Sequence, residues 1–196
     1  MSIYHKVQAV EKVFVKLEKE LASFKNATGL NCLTGCGLCC HNPEINATAL
    51  EFLPFAYHLH KNGLAYQWLD DLQQNDSPLC RIFQPLKLQN DKGFCSQYKF
   101  RGLICRLFAF SANHNKYGEP KLATCKTIKE AYPSEYESAV SLIAEGGKVP
   151  IMTDYYHQLR MIDPDLGRQL IPINNAIEEA LKVVLSYYAY RRPRRA

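Results

Sequence analysis

Long apolar runs are missing from this 196-residue chain, and no stretch of about 18 apolar residues could span a bilayer. The first 25 residues are charged throughout, with no apolar segment leading to a cleavage site, so no secretory leader is read there. A cytoplasmic protein with reduced thiols is expected. Internal repeats are absent, and the only biased segment is an arginine tail. Overall charge of one sign is also scarce. The formal net charge is +5, and Arg191, Arg192, Arg194 and Arg195 supply four of those charges, leaving +1 for the rest. A nearly neutral body lacks the basic face that a phosphate-tracking surface needs. Nucleic-acid contact is therefore a weak expectation, confined to the tail at residues 191–196. With 47% hydrophobic and 22% charged residues, the body has the make-up of an ordinary folded domain.

Eight cysteines are present. Four fall within nine residues, Cys32-Leu-Thr-Gly-Cys36-Gly-Leu-Cys39-Cys40, and Cys80, Cys95, Cys105 and Cys125 follow. Reduced, clustered thiols point to metal and away from a disulfide framework. Two or three residues between thiolates let both sulfurs meet one ion, and Gly35 and Gly37 can turn the backbone around it with N–H groups aimed at sulfur. Cys39 and Cys40 are neighbours whose side chains are expected to diverge, toward different irons or ions. Eight thiols suffice for two four-sulfur sites or for one cluster with a separate zinc, and zinc and iron–sulfur both accept such ligands. His41 and His114 are the nearest substitute donors. The spacing Cys-x3-Cys-x2-Cys also matches the cluster signature of radical S-adenosylmethionine enzymes, but the strand–helix alternation of their barrel does not follow Cys40.

Helical periodicity frames this region. Ile3, Val7, Val10, Phe14, Leu17, Leu21 and Phe24 share one stripe of a helix over residues 3–28, stopped by Gly29. Such a seam packs on the chain's own core or pairs two chains as a homodimer. Thr48 and Glu51 form the pattern of a capping box, with Pro54 bending the helix that follows and Asn62-Gly63 ending it. Residues 64–74 read as another helix. From Leu79 to Ala123 periodicity fades into turns with two short strands. Further helices are expected over 126–145, 153–161 and 174–190. The expected fold is mainly α: one domain over 1–190, with helices around an irregular cysteine-rich centre at 32–125 and a basic tail at 191–196. A catalytic set of acid, base and nucleophile does not emerge. Asp154, Tyr155, Tyr156 and His157 are adjacent polar and aromatic residues, yet an amphipathic helix reads the same way. A metal-dependent enzyme with an open coordination position, or a zinc-stapled nucleic-acid module, stays as an alternative to a metal-binding protein.

The stretch Cys32 to Cys40, Cys80, Gly93-Phe-Cys95-Ser-Gln-Tyr98 and Arg101-Gly-Leu-Ile-Cys105-Arg106-Leu-Phe-Ala-Phe110 resembles the bacterial YkgJ-like cysteine-cluster (CxxCxxCC) family of zinc- or iron-chelating proteins. The resemblance implies that all eight cysteines ligate metal or an iron–sulfur cluster. Arg101, Arg106 and Tyr98 are then expected beside the centre, the cations offsetting thiolate charge and the tyrosine offering a hydroxyl. Gly102 and Ala109 stand where the family pattern commonly has proline, and a looser backbone is expected there.

Overall fold

The computed structural model describes residues 1–86 and 93–190; the arginine tail read above lies outside them. The chain is mainly helical. Helix α1 (Ile3–Thr28) has the expected bounds. Ser2 accepts the His5 N–H at its start, and Gly29, at φ 74°, ends it. Every residue of its apolar stripe is buried, with Val10 and Leu17 fully enclosed. Burial of a side chain of that size contributes about 1.5–3 kcal/mol relative to exposure. The stripe meets the chain's own elements, α2, α6 and α7 below, so the seam considered for a homodimer is already covered.

The Thr48–Glu51 capping box forms, on a 3₁₀ turn at Ala49–Phe52 that leads into α2 (Leu53–Lys61). Pro54 does not bend α2: it lies in the first turn, where its missing N–H has no partner to lose. Helix α3 (Ala65–Gln74) follows. Downstream come α4 (Leu103–Leu107), α5 (Lys126–Ala131), α6 (Pro133–Ala144), α7 (Met152–Ile162), α8 (Pro164–Arg168) and α9 (Ile173–Ala189). The single helix expected over 126–145 is two, because Tyr132 leaves helical geometry and Pro133 restarts the chain as a first-turn residue. Helix α8 was not legible as periodicity. It is five residues long and starts on the side chain of Asp163, which accepts the Asp165 and Leu166 N–H groups at 3.1 and 3.2 Å.

Among the described residues, four strands replace the two expected between Leu79 and Ala123. The first antiparallel pair, β1 (Asn46–Ala47) with β6 (Ile171–Pro172), lies outside that stretch; β2 (Phe83–Pro85) with β3 (Gly93–Cys95) makes the second pair, and β4 (Ser111–His114) with β5 (Pro120–Ala123) the third. In the second pair Phe83 lies opposite Cys95 and Pro85 opposite Gly93. The main core gathers the stripe of α1 with α2, α7 and the inner face of α9, where Ala176 and Ala180 are fully buried. A smaller core joins Phe24 and Leu30 to Leu122, Ile128, Ala139 and Ile143. Helix α1 crosses both. Among the described residues no helix is long and apolar enough to cross a membrane.

Candidate metal centre

The cysteine loop is a sequence of tight turns. The Cys36 N–H donates to the Leu33 carbonyl at 3.2 Å across a turn whose third residue, Gly35, has φ 70°. Gly37, at φ 61°, starts a 3₁₀ turn over Leu38–His41 that carries Cys39 and Cys40. The β2–β3 hairpin then locks onto this loop. The Gly93 N–H donates to the Gly35 carbonyl at 3.2 Å, and the Phe83 ring fills the space beside both Gly37 and Gly93. A methyl group on Gly93 would overlap the Phe83 ring and stand 2.5 Å from the Gln84 carbonyl oxygen. Gly93→Ala is thus expected to destabilise the chain by about 1–3 kcal/mol, as overpacking does. Urea titration of the metal-free protein measures it; an unchanged midpoint would show that hairpin and loop are not in register.

Hairpin and loop together bring thiols from distant segments close enough to sense one another's charge, all of them unbridged. Cys39 lies at the middle: its charge is felt by Cys32, Cys40, Cys80, Cys95 and Cys105. Cys80 raises Cys105, and Cys95 raises both. Cys32 senses Cys36 and Cys125 as well as Cys39. By this coupling Cys39, Cys40, Cys80, Cys95 and Cys105 make an inner set and Cys32, Cys36 and Cys125 an outer one, with Cys39 coupled to both. Burial pushes the Cys80 thiol up to about 11, and the Cys32 thiol to about 11 with help from its neighbours. Burial likewise holds Cys105 protonated well above the ordinary thiol range. Cys39 and Cys40 act on one another as a pair, which lowers Cys39 below the usual range and raises Cys40.

Backbone amides support these sulfurs. The Ile82 amide lowers the Cys80 thiol and the Gln97 amide that of Cys95, and the Ile128 N–H donates to the Cys125 sulfur at 3.4 Å, while the Phe83 N–H donates to the Cys80 carbonyl at 3.0 Å. An N–H donor two or three residues beyond a cysteine favours the thiolate, the form that ligates metal. Among the described residues no three Cys, His, Asp or Glu side chains stand within reach of one ion, so ligation requires the thiols to rotate inward. The donor chemistry fits a thiolate-bound metal all the same: soft ligands, amide support and adjacent cations.

Those cations are Arg101 and Arg106. Arg101 lowers both Cys39 and Cys95, and Arg106 also lowers Cys95. Arg106 is buried and each of its three nitrogens donates, to Glu18, to the Arg101 carbonyl at 3.0 Å and to the Lys99 carbonyl at 2.6 Å. Tyr98 is exposed, and its ring lies under the Arg101 guanidinium, 3.6 Å from its carbon. Of the histidines, His41 packs edge-on against Phe83 and its buried Nε2 has no partner among the described residues. His114 is exposed on β4, away from the thiols in sequence and strand. Asp154 and His157 point to solvent from α7 while Tyr155 enters the core, so the polar–aromatic group is an amphipathic helix.

Sequence reading missed Glu51 as part of the centre. Beyond closing its capping box, accepting the Thr48 N–H at 2.8 Å, its second oxygen accepts the Ile104 N–H at 2.9 Å. One buried carboxylate thus ties the 3₁₀ turn to the start of α4 and fixes the backbone beside Cys105. The Tyr156 hydroxyl also faces it. Burial raises Glu51 to about 7 despite these hydrogen bonds. The capping box was visible in sequence, but the contact across 53 positions carried no local signal.

Residues 31–126 match the model of the CxxCxxCC family, whose description is "Putative zinc- or iron-chelating domain". Over this span the chain belongs to the CxxCxxCC family. No curated protein and no solved structure matches the chain. The CxxCxxCC motif here carries three residues between its first two cysteines, and the turn through Gly35 absorbs the longer spacing. The two positions where proline is common in CxxCxxCC proteins are not loose, contrary to expectation. Gly102 has φ −63°, which proline would tolerate, but any β-carbon there would lie 2.8 Å from the buried Phe52 ring. The glycine lets Phe52 and Glu51 close on α4. Ala109 has φ 81°, unreachable for proline, and its N–H donates to the Ala123 carbonyl at 2.9 Å. A left-handed alanine is strained by about 1–2 kcal/mol. Ala109→Gly is expected to raise stability by about 1 kcal/mol, and Ala109→Pro to lower it by about 3 kcal/mol or more. Thermal melts of both variants test this; a stabilising proline would mean the turn has another shape.

Proposed function

We propose that this chain holds an iron–sulfur cluster or zinc through its cysteines, with a structural or redox role for the centre. One observation carries the reading: five cysteines from four separated segments, Cys39 with Cys40, then Cys80, Cys95 and Cys105, lie near enough to shift one another's proton affinity. Unbridged thiols crowded in this way repel once ionised, and a cation between them removes that cost. Cys39, Cys40, Cys80, Cys95 and Cys105 supply the inner ligands, and Cys32, Cys36 and Cys125 supply an outer set. Bound iron–sulfur would supply one-electron chemistry, and bound zinc a cross-link between the segments.

The surrounding residues suit either occupant. Arg101 offsets thiolate charge at Cys39 and Cys95, and the amides behind Cys80 and Cys95 stabilise their sulfurs. Phe83 and Leu103 belong to the core cluster that includes Cys80 and against which Cys40, Cys95 and Cys105 pack, which gives those four cysteines apolar neighbours. Purification without oxygen, followed by iron, zinc and sulfide analysis with an absorption spectrum, tests the reading. Stoichiometric iron with sulfide and absorption near 400 nm identifies a cluster; colourless protein with stoichiometric zinc identifies zinc. Protein that carries neither, and takes up neither on reconstitution, would refute the proposal.

A further inference from the structure

Beside the cysteines a cleft of about 390 Å³ opens between α1 and the segment from Tyr98 to Phe110. That volume lies in the range of small-molecule sites. Its charge is one-sided. Lys25, Lys99, Arg101 and Arg106 line it against a single carboxylate, Glu18, so its described charged walls carry a formal +3. The salt bridges do not cancel this excess. Glu18 is engaged by Arg106, each of whose nitrogens already donates within the chain, and reaches Arg101 only at 3.6 Å. Among the described residues neither Lys25 nor Lys99 has a carboxylate partner. Aromatic rings hold the cations instead: Lys25 Nζ lies 4.4 Å from the Phe110 centroid, and Arg101 lies over Tyr98. A cation pinned by a ring keeps its charge and N–H donors for a ligand, with less side-chain freedom to lose on binding.

The remaining walls are apolar. Leu21 and Ala22 on α1 face Phe110, and Cys105 lies on the cleft wall. We propose that this cleft binds a small organic anion, a phosphate monoester or carboxylate on an apolar body. Its charged group sits among Lys25, Lys99 and Arg101, and its body against Leu21, Ala22 and Phe110. The anion then lies alongside Cys105, where a ligand of the thiol centre and a bound small molecule share a wall. The inference does not rest on the metal reading, because the cleft and its charges are formed by the chain alone.

Calorimetric titration of the as-purified full chain tests it, with phenyl phosphate, phenylacetate and inorganic phosphate as probes. At least one aromatic anion is expected to bind about tenfold or more tightly than inorganic phosphate, since its ring is buried on the apolar wall. Whichever aromatic anion is tighter identifies the head group. Raising the salt from about 50 to about 200 mM should weaken binding. Two variants act by different routes. Lys25→Glu reverses a charge, and Ala22→Trp fills the cleft from an exposed helix position without altering charge. Each is expected to weaken binding at least about tenfold while the melting temperature and metal content stay unchanged. No heat from either aromatic anion up to about 10 mM overturns the proposal. So does equal affinity in both variants, and inorganic phosphate binding as tightly as the aromatic anions removes the apolar body from it. Should Ala22→Trp fail to fold, Lys25→Glu decides alone.

Discussion

The metal-free chain is expected to lose about 3 kcal/mol of stability as pH rises from about 4.5 to about 7, and Glu51→Gln to abolish most of that slope. Glu51 is fully buried and its folded-state value is raised from 4.5 to about 7, burial outweighing the hydrogen bonds from Thr48 and Ile104. The sign follows from proton counting. Below about pH 4.5 both states hold the proton, so burial of the neutral acid costs little. Between 4.5 and 7 the unfolded chain releases its proton while the folded chain keeps it, and each unit of pH removes roughly 1.4 kcal/mol. Above about 7 the carboxylate is buried in full and the loss levels off. The carboxylates held below their usual range act elsewhere. In Asp163 the Lys6 ion pair and backbone N–H groups outweigh burial, and in Asp71 the Arg81 hydrogen bond leads; both affect stability below about pH 4. Urea titrations from pH 4.5 to 8 in the presence of a chelator and reductant measure the slope. A flat profile in the parent chain, or an undiminished one in Glu51→Gln, would show that Glu51 is solvated or otherwise compensated.

The second large effect concerns the cysteines themselves. Cys39→Ser and Cys105→Ser are each expected to weaken metal binding by more than about 100-fold, beyond the 10–100-fold typical of losing only a supporting hydrogen bond. Cys39 is the thiol that the other members of the inner group sense, and Cys105 is carried on α4 next to Ile104, whose N–H Glu51 accepts. Cys32→Ser should cost less, because the thiol of Cys32 is coupled to Cys36, Cys39 and Cys125 and not to Cys80, Cys95 or Cys105. Competition against a chelator of known affinity gives the order, and melts with and without metal show whether lost binding becomes lost stability. Equal losses at Cys32 and Cys39 would mean that the inner and outer groups form one site. Unchanged metal content in all three variants would remove the cysteines from the assignment.

How much of this could be read from residues alone depends on whether the signal is local. The α1 stripe, its Gly29 stop and the Thr48–Glu51 capping box are patterns within a few residues, and each appears where expected. The break at Tyr132 was hidden, because Pro133 both suits a first turn and sits inside an unbroken helical pattern. The region from Leu79 to Ala123 was harder still. Its pairings depend on Phe83 finding Gly37 and Gly93, and α4 depends on a carboxylate 53 residues earlier. The thiol clustering was legible as composition and spacing, whereas the division into inner and outer groups depends on how the hairpin docks. Ala109 shows the limit of reading by resemblance: absent proline suggested looseness, yet the backbone there is left-handed and hydrogen-bonded.

Glu18 belongs to α1, outside residues 31–126, yet it grips Arg106 beside Cys105. The borders of the matched segment are thus not borders of an autonomous module. An excised 31–126 peptide would forfeit its anchor on that guanidinium together with Val10, Leu17 and Ala180, which share one greasy core with Leu53 and Leu107. Grafting the chelating segment into another scaffold would therefore demand a surrogate for the flanking helices, one that offers both an apolar stripe and a well-placed acid.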